Sequence, residues 1–233
     1  MSLINKIDAI IKNKVDVDEV GFLKEPMDYD QNLSLVDVDV KTLLPKPPKN
    51  SSATTIKELK AISEVTQKIG DKELDLIHIV DQDPIHLFTR FLEARSLKFP
   101  LGDFYDYYNI VEHYSYALKY YFNRARPEQV APYHNIDINI LYTDTHHTPA
   151  YPSGHSMYSE LAAYLLTDMY PQYKKEFFEL SKYCGFARII QGVHYQSDIE
   201  ASEKAMRVLY PKIKERVEDE RAKKNPFDIT GKA

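Results

Sequence analysis

The chain has 233 residues, of which 43% are hydrophobic and 28% are charged, a balance typical of a globular protein rather than a disordered one. Its net charge of −5 provides no general basic surface, so nucleic acid is excluded as an expected main partner. No apolar run is long enough to span a membrane, and the single cysteine, Cys184, excludes an intramolecular disulfide framework.

The chain divides into three predicted regions: an N-terminal extension (1–41), a helical domain (42–222) and a C-terminal tail (223–233). Apolar residues on one face predict a short helix near the start of the extension, and an alternating run predicts a strand at 36–40. Charges interrupt what would be the core of a secretory signal, so we expect a cytoplasmic protein unless this is a processed form. A homo-oligomer through the amphipathic N-terminal segment stays open.

Helical spacing begins after the proline-rich stretch LLPKPPKNSS at 43–52. The predicted helices are 54–69, 83–97, 103–125, 155–169, 172–191 and 198–222. Prolines at 100, 127 and 171 mark three of the breaks. The predicted fold class is therefore all-α, a helical bundle whose sites lie between helices.

The first motif with chemical content is KYYFNRARP at 119–127. Lys119 and Arg126 are seven residues apart, which on a continuous helix would place both on one face. Two cations on one face repel each other unless an anion lies between them. By itself, however, a basic pair near a helix end more often only complements the helix dipole.

The second motif is PSGH at 152–155, directly before a predicted helix. Ser153 is a favourable N-cap, and the unpaired N–H groups of a helix N-terminus attract anions. Gly154 lets the backbone approach a ligand closely, and His155 adds a titratable group. An ordinary capped helix with an exposed histidine is the competing interpretation.

The third motif is ARIIQGVHYQSD at 187–198. Arg188 occupies a position where the helical stripe through Phe177 and Cys184 calls for an apolar side chain, so it needs an anionic partner. His194 and Asp198 are four residues apart, close enough for the carboxylate to hold one imidazole nitrogen. Together the motifs assemble cations, a helix N-terminus and two histidines around an anion of phosphate size.

The pattern K-x6-RP, PSGH and R-x5-H-x3-D resembles the signature of the phosphatidic-acid phosphatase type 2 (PAP2) / vanadium haloperoxidase superfamily. All ten specified positions are present, although Ala187 stands where the family usually has serine. LLPKPPKNSS and GVHYQSD are similar to the LLPPPP and GYHWQSD segments of the bacterial class A non-specific acid phosphatases. The resemblance covers roughly residues 42–213 and implies the helical fold of that superfamily.

The resemblance implies metal-independent hydrolysis of small phosphate monoesters, with phosphotransfer to alcohols as a side activity. His194 would attack phosphorus to form a phosphohistidine, oriented by Asp198, while His155 would act as the general acid and then as the base. Lys119, Arg126, Ser153, Gly154 and Arg188 would bind the phosphate. No cofactor is expected, although phosphate or vanadate can occupy such a site, and an acidic pH optimum and vanadate inhibition follow.

Three alternatives stay open. A vanadate-dependent haloperoxidase uses the same residues, but such chains are usually much longer. A lipid-phosphate phosphatase is disfavoured by the lack of a predicted membrane span, and a non-catalytic phosphate-binding protein by the intact acid and nucleophile. A metal site at His146 and His147 is weakly supported, because no spaced set of further ligands lies nearby.

Overall fold

The structure is a computed structural model that describes residues 16–25, 35–141 and 145–224. The α-helices of this part of the chain, in order, are α1 (Val40–Leu43), α2 (Ala53–Thr66), α3 (Asp71–Gln82), α4 (His86–Glu93), α5 (Leu101–Phe122), α6 (Pro127–Val130), α7 (Gly154–Met169), α8 (Lys174–Ile190) and α9 (Gln196–Lys224). Short 3₁₀ helices occur at Val17–Glu19, Ala131–His134 and Pro171–Tyr173. The all-α prediction is confirmed, and no strand forms within the described residues.

Helix α7 lies at the centre of the bundle and packs against α5, α8 and α9. Its buried face includes Met157, Leu161 and Leu165, which recur at the four-residue spacing of one helix face. Phe177 and Cys184 of α8 are fully buried against this centre. The N-terminal ends of α7 and α9 meet, since the Ser153 N–H donates to the Asp198 carbonyl at 3.2 Å. Packing therefore brings the second and third motifs together.

Helix α5 ends earlier than the spacing of the first motif predicts. Asn123 adopts the left-handed conformation (φ 46°), a common way for a helix to stop, and its N–H bonds to the Lys119 carbonyl. Arg126 is extended and precedes Pro127, which opens α6. The helix thus ends three residues before the predicted position. The predicted shared helix face is wrong, because Lys119 and Arg126 meet through a turn instead.

Two further predictions in the N-terminal half are wrong. The alternating run at 36–40 forms no strand, because the backbone of Val36 bonds to the Tyr114 hydroxyl instead of to a neighbouring strand. The helix predicted over 83–97 forms only as the shorter α4, and the helix that precedes it across a turn at Pro84, α3, was not predicted. Helix α3 is capped at Gly70, whose N–H bonds to the Glu73 carboxylate.

The predicted helix near the N-terminus and the tail beyond 224 lie outside the described residues. The proposed domain boundaries stay predictions. None of the helices in the described residues is both long and apolar enough to cross a membrane.

Candidate active site

The three motifs converge on one cavity of about 660 Å³. Lys119 and Arg126 of the first motif, Gly154 and His155 of the second, and His194 of the third all line it. The far wall comes from α3, the turn after it, α5 and α7, and it includes these residues: Asp81, Asp83, Phe104, Tyr105, Tyr108, Glu112, Tyr116 and Tyr158. The cavity thus has a basic floor and an aromatic and acidic wall.

The floor cations are held by backbone carbonyls. Lys119 Nζ donates to the Pro149 carbonyl at 2.7 Å. Arg126 donates from Nε to the Thr148 carbonyl at 2.9 Å and from Nη1 to the Val193 carbonyl at 2.6 Å. Among the ion pairs within the described ranges, neither cation is joined to a carboxylate. Both are buried, with 4% and 1% of the residue exposed, so their charge is only partly compensated by the protein.

Burial and mutual repulsion destabilise these cations. Burial, with repulsion from Arg126 next, holds the pKa of Lys119 well below its ordinary value. Burial and the Arg188 charge lower the pKa of Arg126 to about 9. An anion placed between the cations would reverse both effects, because it favours the charged form of each. The floor is therefore electrostatically suited to an anion.

His194 is buried and contacts both cationic and acidic partners. Its Nδ1 lies 3.1 Å from the Asp198 Oδ2, and its Nε2 lies 3.0 Å from the Arg126 Nη1. A guanidinium can only donate, so Nε2 accepts and the ring proton sits on Nδ1, facing Asp198. Burial, followed by repulsion from Arg126, Lys119 and Arg188, keeps the pKa of His194 well below its ordinary value. The imidazole is thus neutral, with Nε2 towards the cavity.

His155 lies across the cavity floor on the first turn of α7, where it packs against Asp81. The Asp81 carbonyl accepts a hydrogen bond from the imidazole. Burial and then the positive charge of Arg188 hold the pKa of His155 well below its ordinary value, while the Asp81 carboxylate opposes that shift. A phosphate dianion in the cavity would raise it again.

Arg188, predicted to bind phosphate, does not itself line the cavity and is joined to it through Asp81, which does. Its Nη1 donates to the Asp81 Oδ1 at 2.6 Å and its Nη2 donates to the Thr145 hydroxyl at 3.0 Å, while Thr145 itself donates to Asp81 at 2.8 Å. The buried arginine that the sequence placed on the α8 stripe therefore has the anionic partner it requires. That partner comes from α3, the helix that the sequence analysis missed.

Ser153 and Gly154 have different roles at the N-terminus of α7. The Ser153 hydroxyl caps α7 by accepting from the Ser156 N–H, and its own N–H is used by the Asp198 carbonyl. Gly154 lines the cavity, and a Cβ there would lie 3.4 Å from the Ser115 hydroxyl and 3.7 Å from the Lys119 Cε. Gly154 therefore faces the anion region, whereas Ser153 acts structurally in this state.

Sequence reasoning missed three charged residues that hold the predicted ones in place, directly or through one another. Asp81 holds Arg188, Arg124 bonds to the Asp198 Oδ1 at 2.6 Å, and Glu58 of α2 pairs with Arg124. Arg124 was visible inside the first motif, and its buried position (4% exposed) is what distinguishes it. Asp81 could have been found through the Gly70 capping pattern that starts α3.

The rings of His146 and His147 stack with centroids 4.8 Å apart, and His147 lines the cavity. In the portion of the chain that the structure covers, no group of three or more His, Cys, Asp and Glu residues is placed to hold a metal ion. That the reaction needs no metal stays a prediction.

Residues 108–203, which contain all three motifs, match the PAP2 superfamily. A stretch of 88 residues, 36% of this chain, is 34% identical to a non-specific acid phosphatase of Salmonella typhi. That stretch covers 34% of the relative, so the match spans about a third of its length.

Among solved structures, a bacterial vanadium-dependent iodoperoxidase superposes with a TM-score of 0.56 at 21% identity, over 76% of this chain and 54% of the other. A transmembrane PAP2-type phosphatidylglycerolphosphate phosphatase from Bacillus subtilis gives a TM-score of 0.48 at 18% identity, over 73% and 89% of the two chains, a likeness too weak to bear on the fold. The predicted resemblance to the PAP2 superfamily is confirmed over residues 108–203, and the likeness to the iodoperoxidase confirms the helical fold that the resemblance implies.

Proposed function

We propose that this protein hydrolyses small phosphate monoesters, in the manner of an acid phosphatase, through a phosphohistidine intermediate. The observation that carries the proposal is the pairing of two buried, carbonyl-held cations with the neutral Nε2 of His194 at one cavity floor. A site built only to bind phosphate has no use for a nucleophilic nitrogen backed by a buried carboxylate.

In the first step the Nε2 lone pair of His194 forms a bond to phosphorus and the bond to the ester oxygen breaks. His155, protonated when the substrate dianion is bound, gives its proton to that leaving oxygen, so an alcohol departs. Asp198 supports the positive charge that the imidazole gains. The phosphoryl group is then carried on the histidine.

In the second step water attacks phosphorus, His155 takes its proton, and the P–N bond breaks to return the imidazole. Lys119 and Arg126 stabilise the negative charge on the non-bridging oxygens throughout, together with the Gly154 N–H at the start of α7. Arg188, held beside the cavity by Asp81, would join them by exchanging that carboxylate for a phosphate oxygen. These cations perform the charge stabilisation that a metal ion performs in other phosphatases, and so we expect turnover without a metal.

The pH dependence follows from the two histidines. His194 must be neutral to attack, and its lowered pKa keeps it neutral down into the acidic range. His155 must be protonated, yet its pKa is lowered in the free protein, so a basic medium removes the general acid. We expect kcat/KM to rise as the pH falls below neutrality, until protonation of His194 or of the substrate reverses the trend.

The test is the release of p-nitrophenol from p-nitrophenyl phosphate between pH 4 and 8 in the presence of EDTA. Wild-type protein should turn over, and His194→Ala should lose at least about 10³-fold in kcat, as expected when a nucleophile is removed. His78→Ala is the matched control, because that histidine is exposed on α3 and contacts Gln82 instead of the cavity. Activity that survives His194→Ala would rule out this nucleophile.

A second assay traps the intermediate. Rapid quenching with a ³²P-labelled monoester should label the wild type with an acid-labile, base-stable phosphate that is absent in His194→Ala. A haloperoxidase would instead oxidise iodide or bromide with peroxide after vanadate is added. Phosphate binding without turnover in either assay would indicate a non-catalytic binding protein.

A further inference from the structure

Arg124 belongs to the first motif but lies on the side of Asp198 away from the cavity. It is not among the residues that line the cavity, so it is not placed to contact a phosphate there. Its Nη1 donates to the Asp198 Oδ1 at 2.6 Å and to the Ser197 hydroxyl at 2.8 Å. Its guanidinium carbon lies 3.9 Å from the ring centroid of Tyr195, a cation–π contact.

Both oxygens of the Asp198 carboxylate have hydrogen-bond partners. Oδ1 is held by Arg124, while Oδ2 accepts from the Tyr195 N–H at 2.9 Å and faces the His194 Nδ1 at 3.1 Å. The residue has no exposed surface. Rotation of the carboxylate would break contacts at both oxygens, so its orientation is fixed.

Arg124 is in turn held by Glu58 of α2. The Glu58 Oε2 lies 3.5 Å from the Arg124 Nη2, and the same carboxylate accepts from the Ser197 N–H at 2.6 Å and the Ser197 hydroxyl at 2.9 Å. Burial disfavours a charged Arg124, but attraction to Asp198, Tyr195 and Glu58 outweighs it and raises the pKa of the guanidinium. The arginine is thus a permanent buried cation between two carboxylates.

We propose that Arg124 is a positioning residue for His194, acting through Asp198. It keeps the carboxylate ionised and turned so that Oδ2 holds the Nδ1 proton, which leaves the Nε2 lone pair on the side of the cavity, where Arg126 donates to it. Without it, burial favours the protonated acid, as the upward shift in the pKa of Asp198 already shows. A protonated Asp198 could no longer support positive charge on His194. This inference rests on the proposed role of His194 as nucleophile.

The experiment compares wild type, Arg124→Met, Arg124→Lys, Asp198→Asn and the double variant Arg124→Met/Asp198→Asn on p-nitrophenyl phosphate. Arg124→Met should lower kcat about 10- to 100-fold, the range typical of a partner that orients a reactive histidine, with KM changed less than about 3-fold. Lysine should restore part of kcat. In the Asp198→Asn background the Arg124 substitution should cost less than about 3-fold, because its effect passes through that carboxylate.

A readout independent of turnover separates failure of this inference from failure of the proposed function. ¹⁵N NMR of the histidine rings should show His194 protonated at Nδ1 in the wild type, and a mixture of tautomers in Arg124→Met. An inactive wild type would refute the phosphatase, whereas the NMR comparison would still decide the role of Arg124.

Circular dichroism and thermal unfolding check that each variant folds. If Arg124→Met does not fold, Arg124→Lys and Glu58→Gln decide in its place, and both should show reduced kcat and a weakened preference for the Nδ1 tautomer. Wild-type kcat and tautomer in the folded variants, or an equal loss with and without the Asp198 carboxylate, would overturn the proposal.

Discussion

Asp81 offers a sharp test of how the site is held together, because one carboxylate neutralises a buried arginine from outside the matched PAP2 segment. The Arg188 side chain is 1% exposed and the Asp81 side chain is 21% exposed. Asp81→Ala leaves the guanidinium buried without its counter-ion, a change that generally lowers the free energy of unfolding by about 3–5 kcal/mol. Because Asp81 is partly exposed, we expect a loss of about 3 kcal/mol here. Asp81→Asn keeps an acceptor oxygen, so the loss falls to about 1–2 kcal/mol.

Urea unfolding at pH 7 measures both losses, and kcat/KM on p-nitrophenyl phosphate should fall about 10-fold or more as Arg188 loses its orientation. Asp83→Asn is the matched control: Asp83 lines the same cavity, but its Oδ1 accepts from the nearby Ile85 N–H, a contact that asparagine preserves. It should change stability by less than about 0.5 kcal/mol. Equal stability of Asp81→Ala and Asp83→Asn would refute the role assigned to the ion pair.

Other substitutions probe packing, titration and ligand binding. Gly185→Ala should destabilise by about 1–3 kcal/mol, because a Cβ would stand 2.6 Å from the Ile199 Cγ2; an unchanged melting temperature would contradict this. Burial raises the pKa of Glu160 from 4.5 to about 7, so the native state holds a proton that the unfolded state has lost and stability falls as pH rises between those values. Glu160→Gln should therefore raise unfolding free energy more at pH 8 than at pH 5, and equal gains would refute the assignment. Orthovanadate at 100 times the wild-type dissociation constant should raise the unfolding free energy of the wild type by about 2.7 kcal/mol, measured by calorimetry. At the same vanadate concentration Lys119→Met should gain less, and an equal gain would exclude that lysine from the anion site.

The long helices could be predicted from the sequence because their signals are local. Helices α5, α7, α8 and α9 start and end within three residues of the predicted positions, since apolar spacing and flanking prolines mark them. Helix α3 was missed because it buries little beyond Ile77 and Val80, so its apolar residues form no clear stripe. Capping at Gly70 was the signal that could have identified it.

In the site, too, local motifs predicted some residues, whereas others could not be predicted because helix packing alone places them. The motifs contain the residues that line the cavity floor, so the sequence could predict Lys119, Arg126 and His194 as neighbours. Asp81 and Glu58, which pair with Arg188 and Arg124, lie on α3 and α2, far away along the chain, and nothing local marks either as paired. Which carboxylate neutralises which arginine depends on how the helices pack, and a single sequence does not encode that in any short pattern.

The carbonyl oxygens that hold Lys119 and Arg126 have a consequence for release. An oxyanion that binds here must replace carbonyl oxygens that already contact the cations. Its net binding free energy is therefore smaller than it would be at cations without such contacts, because breaking those contacts costs part of the electrostatic gain. When the anion departs, Lys119 and Arg126 form hydrogen bonds to the same carbonyl oxygens again. A protein that stores phosphate would bind it more tightly if its cations lacked such carbonyl contacts. A protein that must release phosphate after every cycle benefits from them, because they lower the cost of release.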